Sequence, residues 1–260
     1  MEDFKGFAVE AAQEAGTFLS SKLNSVHTIG YKGETNLVTE ADTISEEMIT
    51  SKIRNRFPDH DILSEESTFA SKGSDFRWII DPLDGTTNYA HGYTFFSVSI
   101  ALQKLDTMLL GVIYDPTLKE MFIAAKGEGA FLNGSKIHVS HAGKIIESLI
   151  ATGFPYDIGE SKDNNLNYFS GMIKRAQAIR RAGSAALDLA YVAAGRFDGF
   201  WEIKLNPWDT AAGWLIVEEA GGTVTDMWGK GYTMESHMIV ASNGKIHDEM
   251  VGILKDVSAT

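Results

Sequence analysis

Residues 78–88 read Trp-Ile-Ile-Asp-Pro-Leu-Asp-Gly-Thr-Thr-Asn, an apolar run that ends abruptly in two acids. Apolar residues without polar alternation favour a buried strand. Carboxylates at the end of such a strand are costly unless positive charge lies beside them. No Lys or Arg occurs between Arg77 and Lys104, so neighbouring residues cannot supply that charge. A bound divalent cation would supply it.

The backbone between the two acids favours a shared ligand position. Pro82 fixes one backbone angle, and Gly85 permits a tight turn just beyond the acids. Asp81 and Asp84 can then converge on one point, together with the carbonyl group of Leu83. Oxygen ligands suit Mg²⁺, Mn²⁺ or Ca²⁺ and are wrong for zinc or copper. Asp-Pro and Asp-Gly are also ordinary turn dipeptides, so this segment alone leaves a solvated loop open.

Two further segments end in acids. The run Asp61–Ser64 leads into Glu65 and Glu66, and Asp209 precedes a helical pattern that ends at Gly221. Asp209 is predicted to be the N-cap of that helix, a role that leaves one carboxylate oxygen for a cation. Together the three acidic ends could bind more than one cation. Two metals about 4 Å apart stabilise both the attacking and the leaving oxygen in phosphoryl transfer.

At this point the chain resembles a known family, the Mg²⁺-dependent, lithium-sensitive inositol monophosphatases. The resemblance rests on Glu65-Glu66, on Asp81-Pro-Leu-Asp-Gly-Thr-Thr87 and on Trp208-Asp-Thr-Ala-Ala-Gly213, in this order and at these spacings. It extends to Asn36–Asp42 and Gly183–Ala186, and so over nearly the whole chain. It implies a bacterial-type member with a layered αβαβα sandwich, of the α+β or α/β class that also includes fructose-1,6-bisphosphatases. The metals would lie in the cleft between its halves.

The metal ligands are predicted from the residues and then from this resemblance. Asp81 would bridge two cations, Glu65 and the Leu83 carbonyl would complete one site, and Asp84 and Asp209 the other. The resemblance adds a third, weaker Mg²⁺ near Glu65, giving two to three per active site. Glu66 is the adjacent alternative at the first site.

Phosphate and water are expected beside the motif that follows. Gly85, Thr86 and Thr87 are predicted to begin a helix, whose backbone N–H groups bind phosphate without basic side chains. The resemblance pairs Thr86 with Asp42 to polarise the attacking water, so that Asp42, Glu65 and Thr86 are the predicted catalytic residues. Without the resemblance, Asp42 is interpreted as a helix N-cap. Lys32 matches a family lysine only with a one-residue shift in register.

Substrate residues follow from the resemblance as well. Glu202 matches the position that contacts inositol hydroxyls, and Gly183, Ser184 and Ala185 match a small-residue stretch in the same pocket. Arg180-Arg181 either contacts a second phosphate or is a solvated pair.

Three hypotheses on function remain open. The first is Mg²⁺-dependent hydrolysis of an inositol or sugar monophosphate, with inositol 1-phosphate as the leading substrate. Direct attack of metal-activated water is expected, because no Ser, Cys or His nucleophile is evident beside a base. The second is a phosphatase for the 2′-phosphate of NADP, fructose 1,6-bisphosphate or adenosine 3′,5′-bisphosphate. The third is a metal-binding protein-interaction module with vestigial activity.

Composition limits the remaining possibilities. The 260 residues are 44% hydrophobic and 22% charged, without cysteine, so a large core is possible and disulfides are not. The formal charge of −12 argues against a nucleic-acid surface. No signal peptide and no apolar run long enough to span a bilayer is evident, which predicts a cytoplasmic protein without membrane contact. A homodimer is expected from the resemblance and from the general frequency of two-fold oligomers.

Periodicity predicts the secondary structure. Helices are expected at 3–23, 42–56, 162–177, 184–195, 210–220 and 245–255. Short strands between residues 62 and 132, separated by turns, predict an antiparallel meander. Strands and helices alternate beyond residue 140, which divides the chain into an α+β subdomain at 1–140 with most metal ligands and an α/β subdomain at 141–260 that completes the active site.

Overall fold

The computed structural model describes residues 1–23, 29–31 and 37–258, so Lys32 and Asn36 lie outside the described residues. Seven α-helices, one short 3-10 helix (Ile145–Glu147) and fourteen strands are assigned within these ranges. The elements are, in chain order, α1 (Glu2–Lys22), β1 (Ile29–Tyr31), β2 (Leu37–Thr39), α2 (Glu40–Arg56), β3 (Asp61–Ser64), β4 (Phe76–Asp84), α3 (Thr86–Ala90), β5 (Ser97–Lys104), β6 (Thr107–Asp115), β7 (Glu120–Ala125), β8 (Gly129–Leu132), β9 (Ser135–Ile137), β10 (Leu149–Thr152), α4 (Leu166–Ile173), β11 (Ala178–Arg180), α5 (Ala185–Ala193), β12 (Gly199–Ile203), α6 (Pro207–Glu219), β13 (Thr223–Thr225), β14 (Met238–Ser242) and α7 (His247–Ser258).

The larger sheet has seven strands in the order β3-β4-β5-β6-β7-β8-β9. Its strands pair antiparallel from β4 to β9, but β3 and β4 are parallel, with Ile62 opposite Trp78. The prediction of a wholly antiparallel meander is therefore wrong at this edge. Residues 65–75 form a connection long enough to return the chain and start β4 in the direction of β3. As a result the C-terminal ends of β3 and β4 lie side by side. Both strands therefore place acidic residues at the same end of the sheet.

The smaller sheet has five strands in the order β11-β10-β12-β14-β13. Strand β10 pairs parallel with β11 and β12, whereas β14 pairs antiparallel with β12 and β13. Strand β12 lies at its centre. The loop after β12 leads directly into α6, so this strand and this helix deliver Glu202 and Asp209 to the same region.

Side-chain alternation along the strands builds five layers. Trp78 and Ile80 of β4 pack with α1 and α2, while Ile79 faces the other way toward α5 and α6. The same central helices cover one face of the smaller sheet, and α4 and α7 cover its other face. The order is helices, sheet, helices, sheet, helices, which confirms the predicted αβαβα sandwich.

Helix α6 lies very close to the larger sheet. A Cβ atom added at Gly111 of β6 would lie 2.6 Å from the carbonyl oxygen of Ala212, so only glycine allows this approach. The contact fixes the height of α6 above the sheet. It thereby fixes the position of Asp209 in the first turn of the helix.

Several predicted boundaries are wrong. Helix α4 covers Leu166–Ile173 instead of 162–177, and strand β9 has no counterpart among the predicted strands. Asp209 is not an N-cap, because α6 begins at Pro207 and Asn206 is its cap. Proline suits the first helical position, where no backbone donor is needed. Asp42 is not an N-cap either, since α2 already begins at Glu40.

The proposed division near residue 140 stays a prediction. It falls between β9, the last strand of the larger sheet, and β10, the first strand of the smaller one. One hydrophobic cluster includes Ile79 from the first part of the chain and Ile239 from the second. The two parts therefore share a core.

Candidate active site

A cavity lies where the ends of β3, β4 and β12 meet the first turns of α3, α5 and α6. Its lining contains all the predicted metal ligands and substrate residues, which are Glu65, Asp81, Leu83, Asp84, Gly85, Thr86, Thr87, Gly183, Ser184, Ala185, Glu202 and Asp209. Among the described residues, Glu66 and Arg180 do not line it, whereas Arg181 does. The structure thus brings together residues that are up to 144 positions apart, from Glu65 to Asp209.

A bulge in β4 shapes the first part of the cavity. The pairing of β4 with β5 shifts register between Asp81 and Asp84, and the Ser45 hydroxyl donates to the carbonyl of Pro82 at 2.8 Å. The Leu83 backbone N–H donates to Asp81 Oδ1 at 3.0 Å. A bulge re-aims side chains on its strand. In a regular strand two residues three positions apart lie on opposite faces, but the bulge lets Asp81 and Asp84 line the same cavity.

Asp84 connects the larger sheet to the start of helix α5 across the cavity. Its Oδ2 atom accepts a short hydrogen bond from the Ser184 hydroxyl and a bond of 2.9 Å from the Ala186 N–H. Ser184 is also the N-cap of α5 and accepts from the Leu187 N–H at 3.3 Å. Burial raises the pKa of Asp84 to about 6, against the effect of these donors. The Ser184 hydroxyl is engaged on both sides and serves to hold Asp84.

Asp209 occupies the third position of α6. Its Oδ2 accepts the Asn206 backbone N–H at 2.6 Å, and the two residues form a reciprocal capping box. Burial raises the pKa of Asp209, with further contributions from the charges of Asp84 and Glu65. One oxygen of Asp209 is therefore held by the helix start within a strongly acidic environment.

Three neighbouring acids repel the charge of Asp81. Burial raises the pKa of Asp81 well above its ordinary range, and the charges of Glu65, Asp84 and Asp209 raise it further. Carboxylates this close stabilise each other's protonated forms unless a cation is present. The oxygen donors and the excess of negative charge fit a hard divalent cation such as Mg²⁺.

The oxygens do not form a closed cage in this conformation. No group of three or more His, Asp or Glu residues in the described part of the chain has the geometry of a metal site. Three of the carboxylates are turned toward protein donors at Leu83, Ser184 and Asn206. Each of these acids has a second oxygen, so the hydrogen bonds orient the carboxylates without using all of their ligand capacity.

Thr86 contacts an acid behind the cavity wall. Its hydroxyl lies 2.9 Å from Asp42 Oδ1 and 3.1 Å from the Leu83 carbonyl oxygen. Asp42 is fully buried and does not itself line the cavity, within the described residues. A hydroxyl has one proton, so donation to either acceptor leaves the Thr86 oxygen as an acceptor toward the cavity.

Glu202 occupies the far side of the cavity. Burial, followed by the charges of Asp209 and Asp84, raises its pKa to about 8. A Cβ atom added at Gly153 would overlap the Glu202 carboxylate, so the glycine provides the space for this side chain. The absence of a side chain at Gly153, just after β10, therefore allows Glu202 to take this position.

Sequence reasoning missed several residues of the cavity. Asn88 donates to the carbonyl oxygens of Phe95 at 2.7 Å and Ala182 at 2.8 Å, joining α3 to the segment before α5. Asn88 directly follows Thr87 and ends the acidic stretch at residues 78–88, and this position could have indicated its role. Tyr156 and Lys204 also line the cavity, but both lie in loops without a recognisable pattern. Burial and the charges of Glu65, Asp209 and Asp84 raise the pKa of Tyr156 to about 12.

Comparisons with known proteins agree with this architecture. The model of the inositol monophosphatase family matches residues 1–259. An inositol-1-monophosphatase of Synechocystis is 46% identical over 245 residues, which cover 94% of this chain and 85% of that protein. The Nus factor SuhB of Pseudomonas aeruginosa is 42% identical over 252 residues, covering 94% and 93%. The crystal structure of the suhB protein of Bartonella henselae has a TM-score of 0.92 at 40% identity, covering 97% of this chain and 98% of that one.

The fold and these matches define the class of the protein as phosphoric monoester hydrolases. The chain belongs to the inositol monophosphatase family, whose members depend on metal ions. None of its described helices has the length and apolar character needed to cross a membrane.

Proposed function

We propose that the protein is a Mg²⁺-dependent phosphatase that hydrolyses inositol 1-phosphate by direct attack of water. One observation carries this proposal: a single cavity is lined by Glu65, Asp81, Asp84 and Asp209, and also by Glu202. The first four suit cations and phosphate, and Glu202 suits the hydroxyl groups of a polyol. The relative from Synechocystis is named inositol-1-monophosphatase, which supports this choice of substrate.

The metal ligands in this proposal are the side chains of Glu65, Asp81, Asp84 and Asp209 and the carbonyl of Leu83. Two to three Mg²⁺ ions would supply Lewis-acid activation of water and charge stabilisation on the phosphoryl oxygens. The hydrogen bonds from Leu83 to Asp81 and from Ser184 to Asp84 hold the acids in orientation. Pre-oriented ligands reduce the entropy that must be lost when a cation binds.

Thr86 orients the attacking water. Its hydroxyl proton points to Asp42 or to the Leu83 carbonyl, so its oxygen accepts a proton of the water. A water held in this way presents a lone pair to phosphorus. Asp42 holds Thr86 in place and acts through it.

The phosphate group is bound by backbone donors. Gly85 has φ 95 and caps the short helix α3, whose first N–H groups lack intrahelical acceptors. Gly85, Thr86 and Thr87 present these groups to the cavity, so that the segment itself needs no lysine or arginine to bind phosphate. Gly183, Ser184 and Ala185 form the opposite wall and leave room for the ester.

A second candidate follows from Arg181. It lines the cavity and forms no ion pair with any described residue. Its charge acts on the buried acids Glu202 and Asp188. A guanidinium at this position also suits a second phosphate, as in NADP, fructose 1,6-bisphosphate or adenosine 3′,5′-bisphosphate. The name Nus factor, given to the relative from Pseudomonas aeruginosa, keeps a third candidate open, in which protein interaction is the main role.

The wider setting is also proposed. We expect a lithium-sensitive, cytoplasmic homodimer that acts on small phosphate esters and binds neither nucleic acid nor membranes. The charge of −12 supports the exclusion of nucleic acid. Light scattering would test the dimer, a gel-shift assay the lack of nucleic-acid binding, and LiCl titration at fixed Mg²⁺ the inhibition.

A substrate panel tests the leading function. Phosphate release from inositol 1-phosphate, NADP, fructose 1,6-bisphosphate and adenosine 3′,5′-bisphosphate is measured with Mg²⁺. We expect the highest kcat/KM for inositol 1-phosphate. Preference for a bisphosphate or NADP, together with loss of that preference in Arg181→Ala, would support the second candidate. No release from any ester would favour the interaction role.

Gly153→Ala provides an independent check of the leaving-group side. The added methyl group displaces Glu202, so KM for inositol 1-phosphate should rise while the metal ligands stay in place. Gly159→Ala, farther along the same loop and with no atom within 4 Å of the added Cβ, is the control.

A further inference from the structure

Lys204 lies in a backbone conformation that is unusual for a lysine. Its φ is 58, in the left-handed region, at the residue that follows β12. This region costs free energy for any residue with a side chain, so the position favours glycine. A lysine held in such a conformation beside a cavity points to a role for its side chain.

The side chain of Lys204 holds a neighbouring loop. Its Nζ lies 2.8 Å from Asp157 Oδ2 and 3.0 Å from the Ser161 hydroxyl. Both partners belong to the loop of residues 153–161, which we call the rim loop. Lys204 thus joins the end of β12 to two points of the rim loop.

The rim loop places an aromatic ring at the cavity. Phe154, Pro155 and Tyr156 line the cavity together with Leu205, which directly follows Lys204. Tyr156 is 54% exposed, but its side chain forms a hydrogen bond with Thr87 of α3. The ring is therefore attached to the rim loop at its backbone and interacts with Thr87 through its hydroxyl group.

We propose that Tyr156 is a specificity-determining residue whose ring stacks on a cyclic leaving group, and that Lys204 is the positioning residue that holds it there. The inference rests on the proposed function and assigns the residues that favour a cyclic over an acyclic leaving group. Such a ring has hydroxyl groups at its edge and C–H groups on its faces. Glu202 suits the hydroxyl edge, while Tyr156, Pro155 and Leu205 suit a C–H face.

The test compares a cyclic with an acyclic ester. kcat and KM are measured with Mg²⁺ for inositol 1-phosphate and for glycerol 2-phosphate, which has no ring to stack. Tyr156→Leu should raise KM for inositol 1-phosphate about three- to ten-fold and leave its kcat within about two-fold. Its KM for glycerol 2-phosphate should not change. Tyr156→Phe keeps the ring but loses the hydrogen bond to Thr87, so its KM for inositol 1-phosphate should lie between those of the wild type and Tyr156→Leu.

Tyr93→Leu is the matched control for the aromatic ring. Tyr93 is 55% exposed and does not line the cavity. The stacking role would be overturned if Tyr156→Leu raised KM equally for both esters, or if its KM for inositol 1-phosphate were unchanged.

Lys204→Gly tests the positioning role. It removes both contacts to the rim loop and relieves the backbone strain, so KM for inositol 1-phosphate should rise as in Tyr156→Leu. The double variant should be no worse than either single one, because both changes remove the same interaction. Hydrogen exchange should accelerate in residues 154–161.

Lys119→Gly is the control, since Lys119 has a similar φ of 56 and lies exposed in the turn between β6 and β7. Equal behaviour of Lys204→Gly and Lys119→Gly would refute the positioning role. If the wild type released phosphate from neither ester, the proposed function would fail first. Calorimetric affinity for inositol 1-phosphate would then decide the role of Tyr156, and no binding by the wild type would overturn it.

Discussion

The Thr86 hydroxyl lies 2.9 Å from Asp42 Oδ1, joining residues that are 44 positions apart. Thr86 lines the cavity from the first turn of α3, and Asp42 lies buried in the first turn of α2. The pair connects the outer helical layer with the cavity floor. Through this contact a predicted catalytic residue that lies outside the cavity reaches the proposed water site.

Removing this contact should lower turnover more than binding. Thr86→Val keeps the shape of the side chain but loses the hydroxyl, so the water is no longer oriented. We expect kcat for inositol 1-phosphate to fall about 10²- to 10⁴-fold, the range for loss of a group that acts on the reacting water. KM should change little. Thr50→Val, another buried threonine but on α2 away from the cavity, serves as the control. A kcat of Thr86→Val close to that of Thr50→Val would exclude the proposed role.

Replacing the carboxylate of Asp81 by an amide should raise the stability of the metal-free protein but abolish its activity. In Asp81→Asn the repulsion from Glu65, Asp84 and Asp209 disappears. Without metal, the free energy of unfolding should rise by about 1–2 kcal/mol, as when other strained functional sites are relieved. Phosphate release should be lost. The wild type should gain about 2.7 kcal/mol at Mg²⁺ one hundred times above its Kd, and the variant much less.

Urea unfolding in EDTA and in Mg²⁺ measures these differences. Asp115→Asn is the control, because Asp115 is also buried but accepts the Thr117 and Leu118 N–H groups in a turn outside the cavity. It should be destabilised equally with and without Mg²⁺. Full Mg²⁺ stabilisation in Asp81→Asn would remove Asp81 from the ligand set.

Local sequence patterns predict much of the cavity, for a physical reason. Acids at the ends of apolar strands are rare unless something compensates their charge, so Glu65, Asp81 and Asp84 stand out from the amino-acid sequence alone. Predicted helix starts are less accurate. Asp209 and Asp42 resemble N-caps, but Pro207 and Glu40 begin the helices earlier.

Contacts that depend on packing between layers are not predictable in this way. The parallel pairing of β3 with β4 depends on the path of residues 65–75, which carry no strand pattern. Tyr156 interacts with Thr87 of another layer, and Lys204 contacts the rim loop at Asp157 and Ser161. The left-handed backbone of Lys204 leaves no signal in the sequence. Composition and periodicity do not contain such information, because it arises from the assembled sheets.

The contact between α6 and the larger sheet should limit substitution at Gly111. A methyl group there would lie 2.6 Å from the Ala212 carbonyl oxygen, and backbone cannot move away as a side chain can. We expect Gly111→Ala to reduce the free energy of unfolding by about 1–3 kcal/mol, the usual cost of overpacking. Because α6 also carries Asp209, Mg²⁺ affinity should fall as well.

Gly252→Ala in α7 is the matched comparison. No atom lies within 4 Å of its added Cβ, so the helix propensity of alanine should stabilise the protein by up to about 1 kcal/mol. Thermal unfolding of both variants shows whether each substitution lowers or raises the stability of the protein. A Gly111→Ala variant as stable as the wild type would show that the layers can separate without cost.

His247 should make stability fall as the solution becomes acidic. It is 5% exposed, and its ring nitrogens lie 2.9 Å from the Ser242 hydroxyl and 2.8 Å from the Thr225 hydroxyl. Burial lowers its pKa below 6.5, so the unfolded chain binds the proton more readily than the native one. The stabilisation is complete above pH 6.5 and is lost as the pH falls through the native pKa.

Urea unfolding between pH 8 and 5 in saturating Mg²⁺ measures this effect. The free energy of unfolding should decrease less for His247→Gln than for the wild type. His60→Gln should flatten the profile in the same direction, since burial also lowers the pKa of His60. Parallel profiles for the wild type and His247→Gln would mean that the buried imidazole accepts a proton at no cost.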